Sequence, residues 1–278
     1  MEKIAIISDI HGNLEALKAV LKDIKTRNIK TIFCLGDIIA KGTHPSECIK
    51  LIKENCSIVI KGNCDEYFSS EIDLSIKDKT EQERIKWNKS MLSKGDINYL
   101  INLPFCYEFY LSGRLVRIFH ASPIKVNGFV GNIDNLDKLY SLFLPSEKTI
   151  SNEKADIVIY GHIHTQFMQK IYNRIIMNCG SVGNSLDVFR NDKKDGDVKN
   201  TTLANYAIIT GNYNSKDYSA PISFELVGVP YNIDKELSSN KENIEKESYE
   251  TEITKGKYRD MERLNESFVS RGINPEDI

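Results

Sequence analysis

Five times along this chain a run of β-forming apolar residues breaks off at a polar residue able to ligate a cation, four times with glycine at or beside the break. Ile4 to Ser8 runs into Asp9-Ile10-His11-Gly12-Asn13, and Thr31 to Leu35 ends at Gly36-Asp37. Ser57 to Ile60 leads to Gly62-Asn63, Leu115 to Phe119 to His120-Ala121-Ser122-Pro123, and Ile157 to Tyr160 to Gly161-His162-Ile163-His164. Four of the chain's 5 histidines sit in these blocks. Any one block alone reads as an ordinary loop. Together, at strand ends where α/β folds collect ligands, they read as a site.

The opening sixty residues alternate strand and helix. Ile4 to Ser8 is a continuous apolar strand of the kind covered on both faces. Leu14, Leu17, Leu21 and Ile24 recur at helical spacing behind Asn13, a suitable N-cap. Pro45 suits the first position of a second helix carrying Cys48, Ile49 and Ile52 inward. This β-α-β-α-β order predicts parallel strands joined by right-handed crossovers. From Glu66 to Pro104 the texture turns helical, with Thr80 and Glu83 as a capping-box pair and a short helix over Asp96 to Leu100. This insertion reads either as a lid near the site or as a helical element packed on the domain. Strands return at Leu115–Phe119, Ile157–Tyr160, Ile175–Asn178, Ala204–Thr210 and Ile222–Val229, several without helices between them. They predict a second, antiparallel or mixed sheet packed on the first. Residues 191 to 200 read as a solvated loop. After Pro230, Lys, Glu, Asn and Ser dominate, predicting one or two exposed helices with frayed ends. The expected division is a domain over 1–230, containing the 66–104 insertion, and a charged helical extension over 231–278.

The 278 residues, with a formal net charge of -2 and 41% hydrophobic content, suit a chain with ample core. Near-neutral charge offers no footprint for long nucleic acid. No apolar stretch reaches the roughly 20 residues of a spanning helix. The short apolar start passes straight into Asp9 and His11 and reads as a strand, not a secretion signal. The 6 cysteines form no C-x-x-C pair, which favours free thiols in a reducing compartment over disulfides or structural zinc. The expected location is cytoplasmic.

Asp9 and His11 are two residues apart, as are His162 and His164. Asp37 offers two carboxylate oxygens able to bridge cations, Asn63 a neutral carbonyl, and His120 an imidazole from another strand. Asp9, His11, Asp37, Asn63, His120, His162 and His164 are together enough to hold two metal ions. Two cations roughly 3.5–4 Å apart clamp the attacking and leaving oxygens of an in-line displacement and supply hydroxide near neutral pH. Phosphate esters suit such a site.

The set resembles the calcineurin-like metallophosphoesterase superfamily, whose pattern is D-x-H, G-D, G-N-[H/C]-[D/E], H and G-H-x-H. Ser8 to Asn13, Gly62-Asn63-Cys64-Asp65 and Asn178 to Gly183 resemble its small bacterial and archaeal phosphoesterase branch. The likeness spans about residues 1 to 230. It implies a two-sheet β-sandwich flanked by helices, here with the helical insertion and tail. It implies one metal on Asp9, His11, Asp37 and His164, and a second on Asp37, Asn63, His120 and His162. Two divalent ions (Mn, Fe, Ni or Zn) would serve a hydrolase attacking a phosphodiester, phosphomonoester or nucleotide. A protein phosphatase, a dinucleoside polyphosphate hydrolase and a non-catalytic scaffold on the same fold are the alternatives. A small phosphorylated substrate or nucleotide is the expected partner, with no membrane and no long nucleic acid.

Asn63, Cys64 and Asp65 are the candidate catalytic residues. Many relatives carry histidine at the Cys64 position, where it protonates the leaving oxygen or steadies the transition state. A thiol of ordinary pKa, about 8.5, is a poorer acid at neutral pH. This predicts slower turnover or a preference for good leaving groups, unless Asp65 or water serves instead. His44 reads as a solvent-facing capping residue at the start of the second helix, with replacement of the missing acid as the alternative. Asn178, Gly180 and Ser181 read as a structural turn, with a substrate contact as the alternative.

Overall fold

The computed structural model describes residues 1–68, 79–186, 202–270 and 272. The loop expected over 191–200 lies outside them. Among these residues ten strands form two five-stranded sheets. The first carries β1 (Glu2–Ile7), β2 (Thr31–Cys34), β3 (Ile58–Val59), β9 (Ala204–Gly211) and β10 (Ser223–Val229), in the order β10-β9-β1-β2-β3. The second carries β4 (Cys106–Leu111), β5 (Arg114–Phe119), β6 (Ile157–Tyr160), β7 (Phe167–Ile171) and β8 (Arg174–Asn178), in the order β4-β5-β6-β8-β7.

Strand alternation builds the layers. Ile4 and Ile6 of β1 point into the space between the sheets, with Phe33, Ala207 and Ile209 beside them and Phe109, Ile118, Ile159 and Met177 opposite. Ala5 and Ile7 point the other way, onto Leu17, Val20 and Ile24 of α1 (Leu14–Thr26) and onto Cys48 and Ile49 of α2 (Pro45–Asn55). With two buried faces, β1 has no polar side, which is why it reads as an unbroken apolar run. Truncating a fully buried isoleucine such as Ile6 removes about 2–5 kcal/mol. On the far side of the second sheet, Phe119, Val158, Tyr160 and Ile176 meet Leu139, Leu142 and Phe143 from α5 (Leu136–Ser141) and the turn after it.

Parallel pairing sets the site. β1–β2 and β2–β3 are parallel, as are β5–β6 and β6–β8, so the carboxyl ends of β1, β2, β3, β5 and β6 share one edge of the sandwich. Asn13 caps α1, its side chain accepting the Ala16 N–H, and Pro45 opens α2 as predicted.

The structure departs from the sequence expectations in four places. β9 and β10 return to the first sheet, β9 antiparallel to β1 and β10 antiparallel to β9, rather than extending the second. β4 and β7 are additional edge strands. Thr80 lies inside α3 (Lys79–Ser90), so it is not that helix's cap; the reciprocal capping box belongs to Ser93 and Asp96 at the start of α4 (Lys94–Ile101). The tail forms α6 (Ile233–Ser238), α7 (Lys246–Lys255) and α8 (Met261–Val269), and it is not simply exposed: Glu236, Tyr249, Glu252 and Phe268 are buried. Its charges pair with one another and with the loop after Asp37, which removes the reason for them to face water. Among the described residues no helix is long and apolar enough to cross a membrane. All six cysteines are free.

Candidate metal centre

Each candidate ligand sits just past a strand end, five of the seven in a backbone that few side chains adopt. Asp9, His11, Asp37, His162 and His164 all have positive φ, between 50° and 66°. Such left-handed residues cost energy that packing elsewhere must offset, and they cluster at functional sites. The turns hold because loops brace one another. The Asp9 N–H donates to the Gly36 carbonyl (3.0 Å) and the His11 N–H to that of Asp37 (2.9 Å). Gly161 must be glycine: a Cβ there would stand 2.1 Å from Ser8 Oγ and 2.5 Å from Asp9 Oδ2. Gly62 is equally confined, against the N–H and carboxylate of Asp37.

Asp9, His11, Asp37, His120 and His164 converge. Asp37 Oδ2 lies 3.5 Å from His120 Nε2 and 3.7 Å from His11 Nε2. Asp9 Oδ1 lies 3.2 Å from His164 Nε2, 3.7 Å from His11 Nε2 and 3.9 Å from His120 Nε2. Asn63 Oδ1 stands 3.1 Å from His120 Nε2. His162 sits at the rim of this group, its ring edge-on to His120 with centroids 5.2 Å apart, while its backbone N–H donates to Asp9 Oδ2 at 2.9 Å.

Backbone carbonyls aim the imidazoles. Nδ1–H of His11 donates to Ile39 (3.1 Å), that of His120 to Leu35 (2.7 Å) and that of His164 to Asn184 (2.6 Å). A carbonyl only accepts, so Nδ1 carries the proton and Nε2 faces inward, the arrangement expected around metal-ligating histidines. On neutral rings the Nε2 atoms of His11 and His164 are then two bare lone pairs 3.1 Å apart, which repel unless a cation lies between them. Asp9 Oδ1 beside them is buried without a hydrogen-bond partner. A buried carboxylate oxygen left so is costly, and a metal ion would satisfy it. The donor set fits the expected group.

The electrostatics agree. Burial alone would raise Asp9 and Asp37, but their neighbours win: His164 and His120 for the first, His120 and His11 for the second, so both carboxyls lie well below the usual range. Burial, with Lys41 and His164 adding to it, lowers His11 to about 3, and burial with His120 nearby lowers His162 to about 4, keeping both imidazoles neutral and able to ligate. Burial opposes charge on His120 too, yet Asp37 and Asp9 lift it to about 10. The two carboxylates thus draw in positive charge from whatever source is present.

The three candidate catalytic residues take different places. Asn63 and Cys64 line a cleft of about 450 Å³ above the centre. Burial, then Asp37, pushes the Cys64 thiol well up, and its sulfur sits 3.4 Å from Asn63 Nδ2 and 3.6 Å from Tyr67 Oη. Asp65 does not line that cleft. Its carboxylate accepts the N–H groups of Asp37 (2.7 Å), Ile38 (3.0 Å) and Gly62 (3.0 Å), and burial with Asp37 nearby raises it to about 7. His44 precedes α2 but, contrary to expectation, its side chain makes no capping bond, because the ring turns to Thr43 and Glu236; it does not line the cleft either. The Asn178 loop is a brace: Asn178 Nδ2 donates to the Gly161 carbonyl (2.6 Å) and Ser181 Oγ to that of Asp9 (2.7 Å), both residues fully buried.

A calcineurin-like phosphoesterase family profile matches residues 2–194. The chain belongs to the calcineurin-like phosphoesterase superfamily. An uncharacterised protein of Methanocaldococcus jannaschii is 33% identical over 248 residues, covering 84% of this chain and 89% of its own length. The fold is similar to that of a metallophosphoesterase from Sphaerobacter thermophilus (TM-score 0.65, 24% identity, 92% of this chain and 99% of that one). It is also similar to that of a hypothetical protein from Pyrococcus horikoshii (TM-score 0.71, 15% identity, 93% and 100%).

Within this phosphoesterase domain, sequence reasoning missed the cleft wall. Glu81 and Arg84 of α3 line it, so the insertion reaches the site; Lys41 and Phe129 join them, and the tail adds Tyr258, Arg259, Asp260 and Leu264. No motif marks these residues, because they are brought together by packing rather than by spacing.

Proposed function

We propose that the protein is a metal-dependent phosphoesterase that holds two divalent cations and hydrolyses a small phosphodiester, phosphomonoester or nucleotide. The observation that carries this is the facing pair of His11 and His164 Nε2 atoms, 3.1 Å apart, beside the unpartnered Asp9 Oδ1. Asp9, His11, Asp37 and His164 would hold one ion and Asp37, Asn63, His120 and His162 the other. When bound, such ions supply a nucleophile at neutral pH and polarise phosphoryl oxygens.

The chain's own residues do the rest. Carbonyl-anchored imidazoles keep the donor atoms fixed, so little reorganisation accompanies reaction. Asp65 is read as a positioning residue that shapes the Asp37 turn, leaving Cys64 and Asn63 as the two candidate catalytic residues that line the cleft. A cleft of about 450 Å³ is the size of a small-ligand site. With Cys64 where an imidazole acid would stand, esters with good leaving groups are favoured. Manganese is the first metal to try, because mixed oxygen and imidazole sites accept several first-row ions.

The test is hydrolysis of bis-p-nitrophenyl phosphate by protein stripped with chelator and reloaded with Mn²⁺. Activity that appears on reloading and vanishes on chelation supports the assignment. A fully metallated, folded preparation inert towards activated diesters and monoesters alike refutes it.

A further inference from the structure

The tail lies beyond the family profile, which ends at residue 194, yet it reaches the metal centre. Glu252 of α7 is fully buried. Its carboxylate accepts from Arg259 Nε (2.8 Å) and Nη2 (2.9 Å), from Lys41 Nζ (3.2 Å), from Asn184 Nδ2 (3.0 Å) and from the Arg259 N–H (3.3 Å). Lys41 and Arg259 both line the cleft. The backbone carbonyl of Asn184 is the one that takes Nδ1–H of His164. Asn184 Oδ1 is buried without a partner, so the bond to Glu252 is what ties this amide side chain down. A solitary buried carboxylate is costly; this one is placed where it meets two cleft cations and the residue that orients a ligand.

We propose that Glu252 is a positioning residue of the metal site. Through Asn184 it fixes the carbonyl that orients the His164 imidazole, and through Lys41 and Arg259 it sets the cleft wall. The inference rests on the two-metal reading above. Groups that orient ligating histidines typically change metal affinity by about 10–100-fold; Glu252 acts one residue further out, so the lower end, about tenfold, is expected.

The experiment is a calorimetric titration of the metal-free full chain with Mn²⁺ alone, for wild type, Glu252→Gln, Asn184→Ala and Glu236→Gln. Glu236 is a second buried tail carboxylate, bonded to Tyr249 Oη and the Glu15 N–H but not to Asn184 or Lys41. Glu252→Gln and Asn184→Ala are expected to weaken Mn²⁺ binding about tenfold, while Glu236→Gln matches wild type. Asn184→Ala keeps the Glu252 ion pairs, so it carries the test alone where Glu252→Gln fails to fold. Wild-type affinity in Asn184→Ala overturns the proposal, and so does an equal loss in Glu236→Gln, which marks general tail packing. A folded wild type that binds no Mn²⁺ overturns the two-metal reading itself and this inference with it.

Discussion

The carboxylate of Asp65 accepts the backbone N–H of Asp37 at 2.7 Å, so one buried acid holds the turn that aims another into the metal centre. Because Asp65 also takes the N–H groups of Ile38 and Gly62, its truncation leaves three buried donors unsatisfied. Asp65→Ala is expected to destabilise the fold by about 3 kcal/mol, judged from the cost of orphaned buried polar groups. Urea unfolding checks this; a loss under about 1 kcal/mol means that water replaces the carboxylate and the positioning role is wrong.

Asp37 faces both His11 and His120 with the same oxygen, Oδ2. Asp37→Asn keeps the shape but removes the charge that a pair of cations would share. Activity on an activated diester is expected to fall at least ~100-fold, the upper end of what even outer groups contribute at metal sites. Retention of more than a tenth of the wild-type rate at saturating Mn²⁺ rules out a shared carboxylate.

Ions that bind only the folded chain stabilise it by mass action. At a free concentration about 100 times the dissociation constant, the gain is about 2.7 kcal/mol, or a rise of ~5 °C in Tm for a chain of this size. Tm measured with Mn²⁺ and after exhaustive chelation should differ in that direction. Identical midpoints mean that no ion is bound by the folded state.

How far the sequence carries depends on which physical terms it exposes. Asp9, His11, Asp37, Asn63, His120, His162 and His164 stood out as candidates because each is of a residue type able to ligate a cation and each follows a buried strand, whose apolar run is visible locally. The edge strand β7 was not: Gln169 and Lys170 interrupt its apolar pattern, and Met168 is half exposed. Nor could the runs of β9 and β10 name their partners, since burial sets a strand's composition but not its neighbour. The tail misled for another reason. Glu252, Arg259, Glu245, Arg84 and Lys41 look like a solvated surface in composition, and only the fold shows them pairing with one another over the cleft.

Cys64 carries a prediction about leaving groups. Its thiol is pushed up by burial and by Asp37, so it donates a proton poorly at neutral pH. An imidazole there would act as a general acid, an effect typically worth 10²- to 10⁴-fold on its own. Cys64→His is therefore expected to raise turnover of alkyl phosphate esters by about 100-fold. p-Nitrophenyl esters, whose leaving group departs without a proton, should change little. An unchanged alkyl-to-aryl rate ratio removes Cys64 from any role in leaving-group departure.

Acid should loosen the tail. Burial alone would raise Glu252, but Lys41 and Arg259 outweigh it and hold its carboxyl well below the usual range. Glu245 is lowered as well, by Arg84 and Arg259 against its own burial. For an acid depressed in the folded state, stabilisation is complete above its unfolded pKa, about 4.3, and is lost as pH falls towards the folded value. Docking of α7 and α8 is thus expected to hold from neutral pH down to about 5 and to weaken below about 4. Hydrogen-exchange protection in α7, corrected for intrinsic rates, reports it. Glu252→Gln should reduce protection at pH 7 and flatten its fall with acid, since of the two depressed acids only Glu245 then remains. Equal protection of α7 at pH 3 and pH 7 in the wild type would mean that these ion pairs do not hold the tail, and that its apolar contacts through Tyr249, Ile253 and Phe268 suffice.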